Sequence, residues 1–227
     1  MNVRFIALLA ALLPFFAVHG TYLIAASYGQ VEWCNPYIDS CTSISATGRH
    51  PPASYLFRAT MLPSAVIMMA YWWLNHSWLK ELGTNKKHYS QSTNNRMLVL
   101  GVIACLGLIL YVTVLGERGE LWAMQRRLGT ALFFAFTYIA QLLLLHQLRR
   151  LLPDLARPLL SAMGTVSVVL LLLGVMTLVL DAWNESWYNQ VEDAFEWILT
   201  LLLQANFLFG YFVWRRAGWG LTVRPHA

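Results

Sequence analysis

Six times along the chain a run of about 19–23 residues passes almost without charge, and each run is closed by a short polar segment. The runs are Phe5–Ser27, Phe57–Leu79, Met97–Leu115, Leu128–Leu148, Leu159–Leu180 and Phe195–Trp214. At 1.5 Å of rise per residue each is long enough, as a helix, to cross a hydrocarbon core of about 30 Å. None alternates apolar with polar in the manner of a barrel strand, and lipid tolerates only helices or closed barrels. The pattern predicts an all-α, polytopic membrane protein: one six-helix transmembrane domain over residues 1–227, with residues 28–56 as its longest loop.

Composition narrows this further. The chain is 58% hydrophobic and 12% charged, whereas soluble domains run near 45–50% and 25%. That excludes a cytosolic enzyme, a disordered chain and a disulfide mini-scaffold. Its net charge of +5 needs no nucleic acid to explain it, because cations of membrane proteins gather in cytoplasmic loops. With both termini on one side, that side holds eleven Lys/Arg against two Asp/Glu, and the other holds five against nine. The asymmetry predicts both termini cytoplasmic, with loop 28–56 outside, in a bacterial inner membrane or a eukaryotic endomembrane. The first run resembles a signal peptide, but its length, Pro14 and His19 favour a retained helix.

Candidate chemistry is sparse. There is no phosphate-binding glycine loop, no nucleophile elbow and no zinc-protease motif. The six histidines are scattered without metal-ligand spacing, so neither a metal nor a cofactor is expected. Cys34 and Cys41 share the outside loop, where the compartment permits a disulfide, and closing so small a loop contributes roughly 2–3 kcal/mol. Cys105, inside the third run, reads as packing. Asn184-Glu185-Ser186 is a glycosylation sequon that matters only in a eukaryotic host.

The most informative stretch begins at Ser43. Hydroxyls at Ser43 and Ser45, then Gly48, Arg49 and His50, stand just ahead of the second helix, where they could gather round a lipid phosphate. A capped interfacial turn is the plainer alternative. Within the spans, Glu196, Thr200 and Gln204 recur at helical spacing, as do Thr130, Thr137 and Gln141, and such stripes ordinarily face a bundle interior. His19, Arg49, His50, Arg58, Arg126, Arg127, Asp181 and Glu196 collect at the outer mouth. At matching depth there, Arg58 and Glu196 are expected to form an ion pair.

The run Ser43-Ile44-Ser45-Ala46-x-Gly48, then Pro51-Pro52 and Tyr55-x-x-Arg58, resembles the Frag–DRAM–Sfk family, as do Ala70-Tyr71-Trp72, Asn75-His76 and Glu196-Trp197. The resemblance is nearest to its branch of post-GPI-attachment factors and the N-terminal part of the yeast cell-wall protein Cwh. It implies six spans, membrane lipids as partners, and a role in handling lipid at the outer leaflet, as in GPI-anchor remodelling. An enzyme of acyl or head-group transfer would need an acid–base group, which His50 or His19 could supply. Ser43, Ser45, Gly48, Arg49, Arg58 and Glu196 would bind the lipid. A non-enzymatic lipid-binding scaffold is the alternative. A small transporter is a third reading, although Pro14 and Pro63 are the only prolines within the spans. Protein partners cannot be read from the residues.

Overall fold

A computed structural model describes residues 3–84, 86–154 and 157–219, and among these there is no strand. The elements are α1 (Arg4–Ser27), α2 (Ile44–Thr47), α3 (Ala53–Gly83), α4 (Gln91–Thr113), α5 (Glu120–Leu151), α6 (Arg157–Trp183), α7 (Glu185–Tyr188) and α8 (Glu192–Arg216). Six of them are long and apolar enough to span a membrane, as the hydropathy pattern predicts. The outer end is named here for the end that carries α2, following the charge asymmetry.

The helices overrun the apolar runs. α3 has 31 residues and α5 has 32, so α5 starts eight positions before Leu128. Hydropathy marks only the stretch that must sit in hydrocarbon, whereas Arg, Glu, Gln and Leu are good helix formers and carry the backbone on into the interface. α4 behaves differently, stopping at Thr113 because Gly116 turns the chain at φ +93°. α4 begins where Ser90 accepts a hydrogen bond from the Thr93 amide at 3.3 Å, an N-cap. α1 and α3 run unbroken through Pro14 and Pro63.

In space the long helices form a ring in the order α5, α4, α3, α1, α8, α6, and the seam between α6 and α5 is the thinnest. α6 is the most peripheral span: 22% of its apolar stretch is buried, against 39–44% in the other five. The centre is aromatic. Trp72, Trp78, Trp197, Trp214, Tyr71, Phe57 and Phe207 are all fully buried. Asn206 donates to Gln141 at 3.2 Å and to Ser167 at 3.4 Å, tying α8 to α5 and α6. Gln141 also donates to the Leu203 carbonyl at 3.0 Å. The polar stripes of α5 and α8 therefore do face inward, where Gln141 and Asn206 find partners in place of lipid.

Candidate functional site

The segment between α1 and α3 folds over the outer mouth. Cys34 and Cys41 are joined by a disulfide. The Tyr22 hydroxyl donates to the Cys34 carbonyl at 2.7 Å and accepts from the Cys34 amide at 2.8 Å, pinning the loop to α1. On the far side, Trp197 Nε1 donates to the Thr42 carbonyl at 2.9 Å and the Ala194 amide donates to Ser40 Oγ at 3.2 Å. Held at both sides, the loop delivers the single turn α2 into the mouth, and Ile44 is buried there at 5% exposure. Ser43 caps this turn by accepting from the Ala46 amide at 3.0 Å.

Several of the residues singled out above meet at α2. Ser43 Oγ and Ser45 Oγ lie 3.0 Å apart, and Arg49 donates to Ser45 Oγ at 3.4 Å. The Tyr111 hydroxyl of α4 faces Ser45, and the Glu196 carboxylate lies against the Ile44 amide within electrostatic reach of Arg49 and Asp193. Gly116 presses on the Arg49 carbonyl so closely that a Cβ there would sit 2.7 Å from it. Its positive φ and this approach both call for glycine. Gly48 faces Phe57 and Leu115. It is buried, and a Cβ would stand 2.8 Å from both Phe57 and Leu115, so its part is to let α2 settle on α3.

Beneath Ile44 is a cavity of about 40 Å³ between α1, α3, α4, α5 and α8. Its walls are apolar at Phe57, Tyr111 and Phe133 but carry Glu196, Thr200 and Gln204 down one side. Thr200 Oγ1 and Gln204 Oε1 are buried there without a hydrogen-bond partner. The space admits a few waters. A second, smaller cavity shares Thr200 and Gln204 with His19, Tyr37 and Trp197.

The two histidines part company. His19 Nδ1 donates to the Phe15 carbonyl at 2.7 Å, since a carbonyl only accepts, and Nε2 meets the Tyr37 hydroxyl at 2.8 Å. Burial pushes the Tyr37 phenol above its ordinary value, so at neutral pH it remains a proton donor. His19 and Tyr37 both lie against Trp197, with ring centroids 5.4 and 5.5 Å away. His50 is exposed at the approach to α3, and its side chain makes no hydrogen bond to any described residue. It lines neither cavity. Tyr37 and Tyr111 carried no signal in the sequence, because an aromatic residue in a greasy chain reads as packing.

The Arg58–Glu196 ion pair does not form. Arg58 Nη2 instead donates to the Leu115 carbonyl, just past the end of α4. Arg126 donates beside it, to the Glu117 carbonyl at 2.8 Å. Unsatisfied carbonyls and the negative pole at a helix C-terminus draw cations, and depth alone gives no warning of that competitor. Arg58→Ala is therefore expected to cost about 1.5–3 kcal/mol, the range for a hydrogen bond to a charged group. The Arg58→Ala and Glu196→Ala losses should add in the double variant, since the two residues share no partner. Thermal melts of the three variants check this, and a coupling well above 0.5 kcal/mol would contradict it.

The family model described as Frag1/DRAM/Sfk1/Cwh43P N-terminal domain matches residues 2–214. The chain belongs to that family. Its match takes in the capped mouth and every spanning helix except the last two residues of α8. No curated protein and no solved structure matches the chain. Membership together with the six apolar helices makes this an integral membrane protein of the Frag1/DRAM/Sfk1/Cwh43P type.

Proposed function

We propose that this protein takes hold of a membrane lipid at its outer mouth, with the polar part of the lipid at Ser45, Arg49 and Glu196 and its apolar part in the cavity beneath Ile44. The observation that carries the reading is the polar strip Glu196–Thr200–Gln204 on the wall of an otherwise apolar space, with two buried oxygens unpartnered. A buried polar atom without a partner costs about 1–3 kcal/mol, so such atoms call for an occupant that can donate to them. Arg49 is exposed beside the mouth, where a phosphate or sugar hydroxyl would meet it. At about 40 Å³ the cavity is too small for an acyl chain. Loading requires the turn at α2 to move, and that turn is held to α8 through Thr42, Ser40 and the Ile44 amide at Glu196.

The finer reading is lipid remodelling of the kind that GPI-anchor factors carry out. Acid–base work would then fall to His19, whose Nε2 shares its hydrogen bond with the Tyr37 phenol next to the α8 strip. His50, exposed and outside both cavities, is not placed for it.

Photocrosslinking tests the proposal. The protein in a bilayer nanodisc is irradiated with a phospholipid that carries a diazirine in its acyl chain, and the labelled peptides are mapped. Label is expected on the α5 peptide holding Phe133 and Phe134, falling severalfold in Thr130→Trp, which fills the cavity. Label confined to outward-facing residues and indifferent to Thr130→Trp would refute it.

A further inference from the structure

The ring of helices closes poorly between α5 and α6, and the gap there is a crevice of about 550 Å³. It opens at the end opposite α2 and is unconnected with the outer mouth. Its walls are graded. Near the cation-rich end they carry Arg149, Ser161 and Thr165, while deeper in they are Leu142, Leu145 and Val168, with the Tyr138 hydroxyl donating to the Ser167 carbonyl at 3.1 Å and Ser167 Oγ to the Met163 carbonyl at 2.8 Å. From Arg149 to Tyr138 it follows roughly 16 Å of helix, close to the depth of one leaflet, half of a core of about 30 Å.

Arg149 is laid across this gap rather than out into water. Its guanidinium donates to the Leu160 carbonyl of α6 at 3.3 Å and rests on Gly164, where any Cβ would collide with it. Ser161 and Thr165 stand one turn apart on α6 beside it, both exposed to the crevice. Charge gathers at the same place. Arg150 and Arg157 are exposed at the helix ends, and Lys86 donates to the Leu151 carbonyl at 3.0 Å, with Asp154 the one acidic residue in the connecting segment among the described residues.

From this gradient of cations, then hydroxyls, then apolar wall, we infer that the α5–α6 crevice is a binding site for an anionic phospholipid of the leaflet facing the Lys/Arg-rich loops. The phosphate lies against Arg149, Ser161 and Thr165, and one acyl chain lies along Leu142, Leu145 and Val168. A basic pocket between spans at that side suits an anionic head group, and arginine matches phosphate through its fork of donors. A zwitterionic lipid fits the same walls but gains little from the surrounding cations.

Native mass spectrometry of the whole protein, released from micelles holding equal phosphatidylglycerol and phosphatidylcholine, measures the preference. A single cation near the surface contributes about fivefold in affinity. Arg149→Gln should therefore lower the phosphatidylglycerol adduct about fivefold and the phosphatidylcholine adduct, whose choline ammonium offsets its phosphate, by less. Arg149→Lys should retain most of the preference, and Arg96→Gln, a cation of the same end on α4, should not change it. Val168→Trp, a change on an exposed position, should displace the lipid with every cation in place. Equal losses in Arg149→Gln and Arg96→Gln would mean a diffuse field rather than a site, and would overturn the inference. So would an unchanged adduct in both Arg149→Gln and Val168→Trp. A dimeric mass that Val168→Trp abolishes, without lipid, would assign the crevice to a second copy of the chain and equally overturn it.

Discussion

Trp214→Ala is expected to be the most damaging single substitution, at about 3–5 kcal/mol. Trp214 is 0% exposed, stacks on Tyr71 with centroids 5.3 Å apart, and meets Trp78 edge-on at 6.3 Å. Its Nε1 donates to Asn75 Oδ1 at 3.1 Å, while Asn75 Nδ2 donates back to the Tyr71 carbonyl at 2.9 Å. Lipid tails are as apolar as the core, so little of the loss comes from removing the ring from water. It comes from the contacts that a cavity forfeits and from the stranded Asn75 oxygen. Trp214→Phe keeps most of the packing and loses the hydrogen bond, for which about 0.6–1.7 kcal/mol is the membrane range. Cys105 is the free cysteine among the described residues and is 1% exposed, so a thiol-reactive dye reports melting without added probes. A loss below 1 kcal/mol for Trp214→Ala would show that the aromatic centre is not what holds α3 to α8.

Gly129→Ala should cost about 1–3 kcal/mol despite adding a single methyl group. α4 and α5 approach closely where Gly107 and Gly129 face each other. A Cβ on Gly129 would lie 2.6 Å from the Gly107 carbonyl oxygen and 2.7 Å from the Tyr111 amide, and one on Gly107 would lie 2.9 Å from the Gly129 oxygen. These are backbone atoms, which cannot swing aside, so the helices must separate. Small residues at such a crossing are the usual means of close packing in lipid. Separation also reaches the mouth, since Tyr111 is one turn from Gly107 and Thr130 adjoins Gly129, and both line the cavity. Gly174→Ala is the control. Nothing lies within 4 Å of its added Cβ, so the gain in helix propensity leaves it neutral or slightly more stable. The dye melts of the two variants should move in opposite directions or differ by several degrees; equal melts would refute the close-packing account.

Hydropathy disclosed the spans because lipid leaves the backbone so little choice, yet it missed how far α3 and α5 continue. It marked the inward stripes of α5 and α8, whose spacing is a property of one helix. The Arg58 pairing failed for the opposite reason: its partner was settled by the end of α4, 57 positions away, through a backbone carbonyl that no side-chain pattern reveals. His19 and His50 were equal candidates in the sequence. Only the fold set one against Tyr37 and Trp197 and left the other exposed.

By itself, then, the sequence determined the class of molecule, the six helices, the side on which cations gather and the chance of a Cys34–Cys41 bridge, because each depends on local hydropathy, charge or loop spacing. The tertiary structure alone decided the rest: the ring order of the helices, the plug of Ile44 over a cavity, the meeting of Ser45, Arg49, Tyr111 and Glu196, and the open seam between α5 and α6. Neighbours in a bundle are chosen by shape, down to where a glycine admits a facing carbonyl or a ring. That choice involves residues far apart in the chain, whose individual identities carry no mark of one another.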